Sequence, residues 1–493
     1  MANDWNTAEA VLAAAAVAGD KPVLGCDGSI LTGNDFHAAV ARRRRGLAPF
    51  IDHQQNVLIA TGRGNRFWID MVAVWALGAV AVPVNADVPT ERLTAIAVKA
   101  RPRATLGRLN QSGKIPSGIV EIPDDLEEVT DRADIACAAV DGDSRAAILF
   151  TSGSTGEPKG AVLPHRSVLG NARASLQVVG LPPASRLLLA IPFQFVSSLS
   201  HFLVTLLGGS MLIGCERRLL PADFLALIGS SGADAVGGAP LHARWIADAA
   251  ATAPLPLRWI MSSGDALPTD VIDLLRERLP KTRLVVAYGL TEVGGRFCVL
   301  PPDQLDRHRG SVGRPIPGMS VHVLAEDGSE AGPNQEGEIY ADGPCVFLGY
   351  EGDPEATGRS LMNGRFRTGD LGFRDESGCV HHVGRADDMF KTAGQKVSSA
   401  AVAAALMRTN VFRDAAVLPV AHSLFGHVAH AYCVIKDGAQ FDRAAVMRSL
   451  RSELPPHQLP ARFVAVDEIP RTASGKVDRT GLRQLAERLA AEG

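Results

Sequence analysis

The stretch Ile148-Leu149-Phe150-Thr151-Ser152-Gly153-Ser154-Thr155-Gly156-Glu157-Pro158-Lys159-Gly160 decides how this chain of 493 residues is read. The apolar run Ala146 to Phe150 has the length and composition of a buried strand, and it ends abruptly in hydroxyls and glycines. Gly153, Gly156 and Gly160 let the backbone turn tightly and aim its N–H groups inward. Thr151, Ser152, Ser154 and Thr155 add O–H donors, and Lys159 adds a fixed positive charge. With Glu157 as its acidic neighbour, such a loop is built to hold an anion, most naturally a polyphosphate. It is not the phosphate loop of kinases and GTPases, which needs Gly-Lys-Ser/Thr after four spacers and opens a helix. Here Pro158 is the fifth residue after Gly153, and Gly160 follows Lys159, so no helix starts as that pattern requires.

Outward from this loop, the chain is too long for one ordinary core and predicts two or more domains. A net charge of −3 creates no field suited to nucleic acid or a membrane surface. The one basic cluster, Arg42 to Arg45, ends a predicted helix over Asp35 to Arg45 and is expected to cap a solvated end. The seven cysteines lie far apart with no Cys-x-x-Cys pair, which argues against a disulfide framework or zinc site and fits a reducing cytoplasm. His427 and His430 are too few to make a structural metal site. The N-terminus lacks the order of a signal peptide, because Asp4 precedes its alanine-rich run. The most apolar segment, Met71 to Val82, is bounded by Asp70 and Pro83 and is too short to span a bilayer.

From Asn56 onward, short apolar runs alternate with helical patterns. Val57 to Ala60, Ala79 to Val84 and Ala104 to Leu106 read as strands, with helices over Phe67 to Leu77 and Glu91 to Lys99. After the loop, strands are expected at Arg186 to Ile191, Ser210 to Ile213, Ala233 to Val236, Arg258 to Met261 and Arg283 to Ala287. Helices over Ala222 to Ile228 and Thr269 to Leu279 fall between them. This is the rhythm of crossover units on a largely parallel sheet, hence an α/β fold. Between Val312 and Tyr350 the pattern changes to short strands with Gly/Pro turns, which predicts a small antiparallel subdomain.

Thr151 to Gly160, continued by Ala161-Val162-Leu163-Pro164-His165, resembles the signature loop of the adenylate-forming superfamily: acyl- and aryl-CoA synthetases, peptide-synthetase adenylation domains and luciferases. Four further stretches match that family in order, and a fifth resembles it more loosely. Tyr288-Gly289-Leu290-Thr291-Glu292 follows a predicted strand. An aromatic face there suits a purine, and a carboxylate is a hard ligand for magnesium. The resemblance makes Tyr288 and Gly289 adenine contacts, Thr291 a phosphate contact and Glu292 the magnesium ligand. Gly264-Asp265-Ala266 resembles the small-residue segment against the adenine, with Asp265 an unusual occupant. Asp370, in Thr368-Gly369-Asp370, matches the ribose-binding aspartate, since a carboxylate at a turn can accept two hydrogen bonds from a cis-diol. Arg385 would contact the ribose, Asp387 would be the hinge between a large and a small domain, and Gly394 would line a thiol channel. Pro470-Arg471-Thr472-Ala473-Ser474-Gly475-Lys476 matches the catalytic-lysine loop, so Lys476 takes that role.

The resemblance implies a large N-terminal domain over residues 1–386, of layered, mostly parallel sheets plus the antiparallel subdomain. A smaller, mobile α+β domain would occupy 387–493. It implies ATP-dependent activation of a carboxylic acid, with magnesium, to an acyl adenylate, followed by transfer to CoA. Relatives that activate amino acids place an aspartate near Ile191 to Val196 to pair an ammonium; none is present here, and an unpaired buried ammonium would be costly. Phe193, Phe195, Val196, Gly238 and Gly294 are therefore expected to line an apolar pocket for an acyl or aryl acid. Relatives that use CoA often carry histidine where Phe195 falls. The alternatives are a ligase that loads an acyl carrier protein's phosphopantetheine and an ATP-binding protein without catalysis; Lys476, Glu292 and Asp370 speak against the latter.

Overall fold

The structure is a computed structural model and describes residues 5–109, 118–124, 136–152, 157–216, 219–471 and 477–491. The chain forms two compact units. The first takes in Met1–Leu267, Asp273–His322 and Tyr340–Arg367, and the second Pro268–Ile272, Val323–Ile339 and Thr368–Gly493.

The first unit holds two sheets. One has nine strands, in spatial order Arg314–Pro315, Gly295–Leu300, Arg283–Leu290, Trp259–Ser263, Ala235–Gly238, Arg186–Leu189, Met211–Gly214, Pro22–Cys26 and Ser29–Thr32. The six central strands are mutually parallel; Gly295–Leu300 and Ser29–Thr32 run antiparallel to them, and Arg314–Pro315 runs antiparallel to Gly295–Leu300. The other sheet has seven strands, in order Gly349–Tyr350, Pro158–Pro164, Arg145–Ser152, Val80–Val84, Asn56–Ala60, Ala104–Leu106 and Val120–Ile122. Its last five are parallel. The crossover rhythm is thus realised, with strand ends displaced by at most three residues from those expected. The parallel strands are buried on both faces, as Val80–Val84 illustrates, because helices cover them.

The helix Asn65–Ala76 is apolar almost all round and nearly wholly buried, yet it carries Asp70 at 0 % exposure. Arg43, Arg63 and Arg66 converge on that carboxylate, with Arg43 Nε 2.6 Å from Asp70 Oδ1. This overturns the expectation that the basic cluster ends in solvent. The helix spans Gly33–Leu47, and Phe36, Val40, Arg43, Arg44 and Leu47 fall on its buried face at helical spacing. Arg43 on the inner stripe requires an acid inside, and Asp70 supplies it. At the other end of this helix Thr32 and Asp35 form a reciprocal capping box.

In the second unit, strands Phe412–His422 and Gly426–Ile435 form a long antiparallel hairpin. Ala415 and Val417 enter one core with Val402, Leu406 and Leu450, while Ala416 and Leu418 enter another with Ile469 and Leu482. That period-two alternation lets helices cover both faces of one sheet. The short strands expected after Val312 are present at Ser320–Leu324 and Gly337–Asp342, neighbours in one sheet. No described helix is long and apolar enough to cross a membrane, and all seven cysteines are free thiols.

Candidate active site

The hydroxyl-rich loop joins two antiparallel strands, Arg145–Ser152 and Pro158–Pro164, with Thr151 opposite Lys159. The chain returns as a strand rather than a helix, as Pro158 and Gly160 require. Thr151 Oγ1 is 3.5 Å from the Lys159 carbonyl. Gly153, Ser154, Thr155 and Gly156, and the side chain of Ser152, lie outside the described residues. Lys159 Nζ sits 5.5 Å from the ring centroid of Tyr350. Tyr350 is carried there by the edge strand Gly349–Tyr350, which pairs with Ala161 and Val162. Its hydroxyl donates to Glu292 Oε1 at 2.8 Å, while the Glu292 carbonyl accepts from the Phe347 N–H at 2.8 Å. One aromatic ring therefore links the loop lysine to the acid predicted to hold magnesium. Sequence reasoning missed Tyr350, because its partner lies 58 residues earlier and no local pattern joins them.

Glu292 and Thr291 occupy a single 3-10 turn, Thr291–Val293, between strands Arg283–Leu290 and Gly295–Leu300. In that hairpin Gly289 lies opposite Arg296 and Tyr288 opposite Cys298. A Cβ on Gly289 would stand 2.2 Å from the Gly295 carbonyl oxygen, so only glycine lets the strands approach this closely. The half-buried ring of Tyr288 lies 5.9 Å from that of Phe297. In the neighbouring parallel strand Ser263 pairs with Ala287, so Gly264-Asp265-Ala266 and the Tyr288 loop leave the sheet at the same carboxyl edge. Ligands bind at that edge of open α/β sheets. The 264–266 segment is exposed, with Gly264 at φ +95°.

The residues expected to line the acyl pocket divide into two kinds. Phe193, 2 % exposed, packs its ring 5.5 Å from Phe67 and 5.1 Å from Trp68 and belongs to the aromatic core. Phe195 and Val196 open the helix Val196–Leu207. Gly238 ends a strand beneath His242, and Gly294, at φ +72°, turns the chain under Ser167. Three further buried polar residues, which sequence reasoning also missed, surround this turn. Asn171 donates to the Val293 and Arg296 carbonyls at 2.9 and 2.6 Å and so clamps both ends of Gly294-Gly295. His201 is buried against Gly237, where a Cβ would meet its Nε2 at 2.4 Å. Arg296, 4 % exposed, directs its guanidinium to Ser200 Oγ and Met261 Sδ.

In the second unit, Asp370 and Arg385 stand directly opposite each other in the hairpin of Arg365–Arg374 with Val380–Arg385. Asp370 is 2 % exposed; its Oδ1 accepts from Arg385 Nη1 at 3.0 Å, and the same Nη1 donates to the Thr368 carbonyl at 2.9 Å. The structure thus joins two predicted ribose contacts into one preformed pair. Gly394 and Ala393, both at positive φ, form the two-residue turn between Met389–Thr392 and Gln395–Ser398. Asp387 belongs to the 3-10 turn Ala386–Asp388 that leads out of the Arg385 strand; its side chain, and the whole of Lys476, lie outside the described residues. Arg471 and Val477, which flank the lysine loop, pair as an antiparallel bridge.

The chain is similar to known proteins over most of its length. The family described as AMP-binding enzyme matches residues 11–351, and its C-terminal domain matches residues 401–476. A 2-succinylbenzoate–CoA ligase from Geobacillus kaustophilus (strain HTA426) is 30 % identical over 382 residues, covering 77 % of this chain and 75 % of the relative. The crystal structure of ATP-bound MatB from Rhodopseudomonas palustris superposes with a TM-score of 0.85 at 26 % identity, over 98 % of this chain and 99 % of that one. An O-succinylbenzoate coenzyme A synthetase from Bacillus subtilis, in complex with ATP and magnesium ion, shares the fold with a TM-score of 0.84 at 23 % identity, covering 96 % and 99 %.

Proposed function

This chain belongs to the AMP-binding enzyme family, in its acyl- and aryl-CoA synthetase type, and on that premise we propose how its residues divide the work. It is an AMP-forming acid–thiol ligase whose substrates are a carboxylic acid, ATP and CoA. A carboxylate oxygen attacks the α-phosphorus of ATP, the bond to the β-phosphate breaks, and pyrophosphate leaves with its electron pair. The thiol sulfur of CoA then attacks the acyl carbon, loses its proton and expels AMP. Two anions meet in the first step, so the protein's task is to neutralise charge and align the reactants.

The observation that carries this assignment is the Lys159–Tyr350–Glu292 chain at the mouth of the hydroxyl-rich loop. Lys159 and the loop donors Thr151, Ser152, Gly153, Ser154, Thr155 and Gly156 hold the departing phosphates. The Glu292 carboxylate, oriented through one oxygen by the Tyr350 hydroxyl, is a hard oxygen donor of the kind magnesium takes. A magnesium ion held there would neutralise phosphate charge. Tyr288, Gly289, Gly264 and Ala266 receive the adenine, Thr291 a phosphate oxygen, and the Asp370–Arg385 pair the ribose. Lys476 brings the positive charge to the carboxylate and α-phosphate. Phe195, Val196, Gly238 and Gly294 border the acid; Phe193 acts from the core behind them. The domain that carries Lys476 spans 387–493 and turns about Asp387 between the two steps. An acyl carrier protein's phosphopantetheine presents the same thiol as CoA and is the second acceptor.

Carboxylate-dependent exchange of labelled pyrophosphate into ATP, run across a panel of carboxylic acids with CoA consumption scored in parallel, tests the proposal. Exchange with at least one acid, coupled to loss of free CoA thiol, is expected. ATP binding with no exchange from any acid would reduce the protein to a nucleotide binder.

A further inference from the structure

Among the described residues, Arg296 is a buried positive charge without a counter-charge. Its residue is 4 % exposed, and its guanidinium reaches Ser200 Oγ and Met261 Sδ, both neutral. No carboxylate pairs with it among the described residues, and its Nη2 has no hydrogen-bond partner there. Burial alone pulls its basicity down, to about 9. The contrast with Arg43 is instructive: that buried guanidinium is met by Asp70. Burying a guanidinium with no anion is among the most costly arrangements a fold can keep, so a partner is expected, and a ligand can supply it.

The surroundings say where that partner comes from. Arg296 lies opposite Gly289 of the Tyr288–Glu292 stretch. Met261 is two residues before Ser263, at the end of the strand that leads into Gly264-Asp265-Ala266. Ser200 stands one turn into the helix opened by Phe195 and Val196. The guanidinium is thus enclosed by three of the elements that border the proposed acid site. Beside it, His201 Nδ1 lies 2.7 Å from the Ser197 carbonyl, which can only accept, so Nδ1 carries the hydrogen. Its Nε2 is then an acceptor, also without a partner among the described residues.

We propose that Arg296 is a specificity-determining residue that binds a second carboxylate on the substrate, making this a ligase for dicarboxylic acids. One carboxylate reacts at phosphorus; the other, at the remote end of an otherwise apolar body, pairs with the Arg296 guanidinium. Selection works by exclusion as well as attraction, because an acid ending in a neutral group leaves the buried charge unpaired. The inference rests on the ligase reading above.

The test compares aliphatic and aryl dicarboxylic acids of graded length with their monoamides, which keep the reacting carboxylate and lose only the remote charge. For the best dicarboxylate, wild-type kcat/KM in pyrophosphate exchange is expected to exceed that of its monoamide by about 100-fold or more. Arg296→Gln should remove most of that ratio by lowering the dicarboxylate value, and Arg296→Lys should restore part of it. Equal loss for both members of each pair would overturn the proposal, since the guanidinium would then serve the reacting carboxylate or the fold. A wild-type preference for the monoamides would overturn it as well. Thermal stabilisation of the wild-type protein by the acids without ATP supplies a readout that needs neither a variant nor turnover. Stabilisation by dicarboxylates but not monoamides, with no exchange, would uphold the Arg296 subsite while refuting the ligase reading. Exchange with monoacids and no charge preference would do the reverse.

Discussion

At the scale of single residues, the decisive contact is the 2.8 Å hydrogen bond from Tyr350 to Glu292. It fixes the direction of the Glu292 carboxylate, the proposed ligand for magnesium. Tyr350→Phe removes the donor and leaves the ring beside Lys159. A hydrogen bond to a charged group contributes about 1.5–3 kcal/mol, so the half-saturating magnesium concentration for pyrophosphate exchange should rise about 10- to 100-fold. An unchanged magnesium requirement would show that Tyr350 is only packing. Glu292→Gln removes the charge itself and should lower kcat by about 100-fold or more, with little change in melting temperature because Glu292 is only half-buried.

Among elements, the hairpin of Arg283–Leu290 with Gly295–Leu300 positions Tyr288, Thr291, Glu292 and Arg296 together. Its close packing depends on Gly289, and Gly289→Ala would press a methyl group into the Gly295 carbonyl. Overpacking of this kind costs about 1–3 kcal/mol; urea unfolding should show that loss, together with reduced exchange activity because the strands part beneath the site. The buried helix Asn65–Ala76 offers a control remote from these residues. Asp70→Asn leaves Arg43 and Arg63 facing a neutral group in the core. Breaking a buried pair by removing one partner costs about 3–5 kcal/mol, and a shift below 1 kcal/mol in chemical unfolding would refute the buried-cluster assignment.

For the whole molecule, three buried histidines tie stability to pH. Burial holds His165 at about 4 and His242 at about 4. Burial and then the charge of Arg296 hold His201 at about 3. In the unfolded chain each returns to about 6.5. Above pH 7 both states are neutral, and the contribution is fully present. As pH falls through 6.5 the unfolded chain takes up protons that the folded one refuses, so stability declines, by up to about 1.4 kcal/mol per pH unit for each histidine. Melting temperature should therefore drop between pH 7 and pH 5, above the range of most carboxylates; a flat profile there would count against this burial. The proposed role of Lys476 also belongs to this scale. Lys476→Ala should abolish adenylation while thioester formation from supplied acyl adenylate largely survives, as separate assays of the two half-reactions would show.

Much of this was legible in the primary structure because it is local. A proline and a glycine around Lys159 exclude a helix-opening loop, and the alternation of apolar runs with helical patterns dictates parallel sheets. Chemistry confined to a few consecutive residues, such as Thr291 beside Glu292, can be read in the same way. What only the tertiary structure decided was pairing across distance: Tyr350 with Glu292, Asp370 with Arg385, Arg43 with Asp70, and the lack of any such partner for Arg296 among the described residues. A charged side chain looks the same in a sequence whether solvent, a buried acid or a substrate neutralises it. Burial settles which of these is available, and burial is a property of the folded chain.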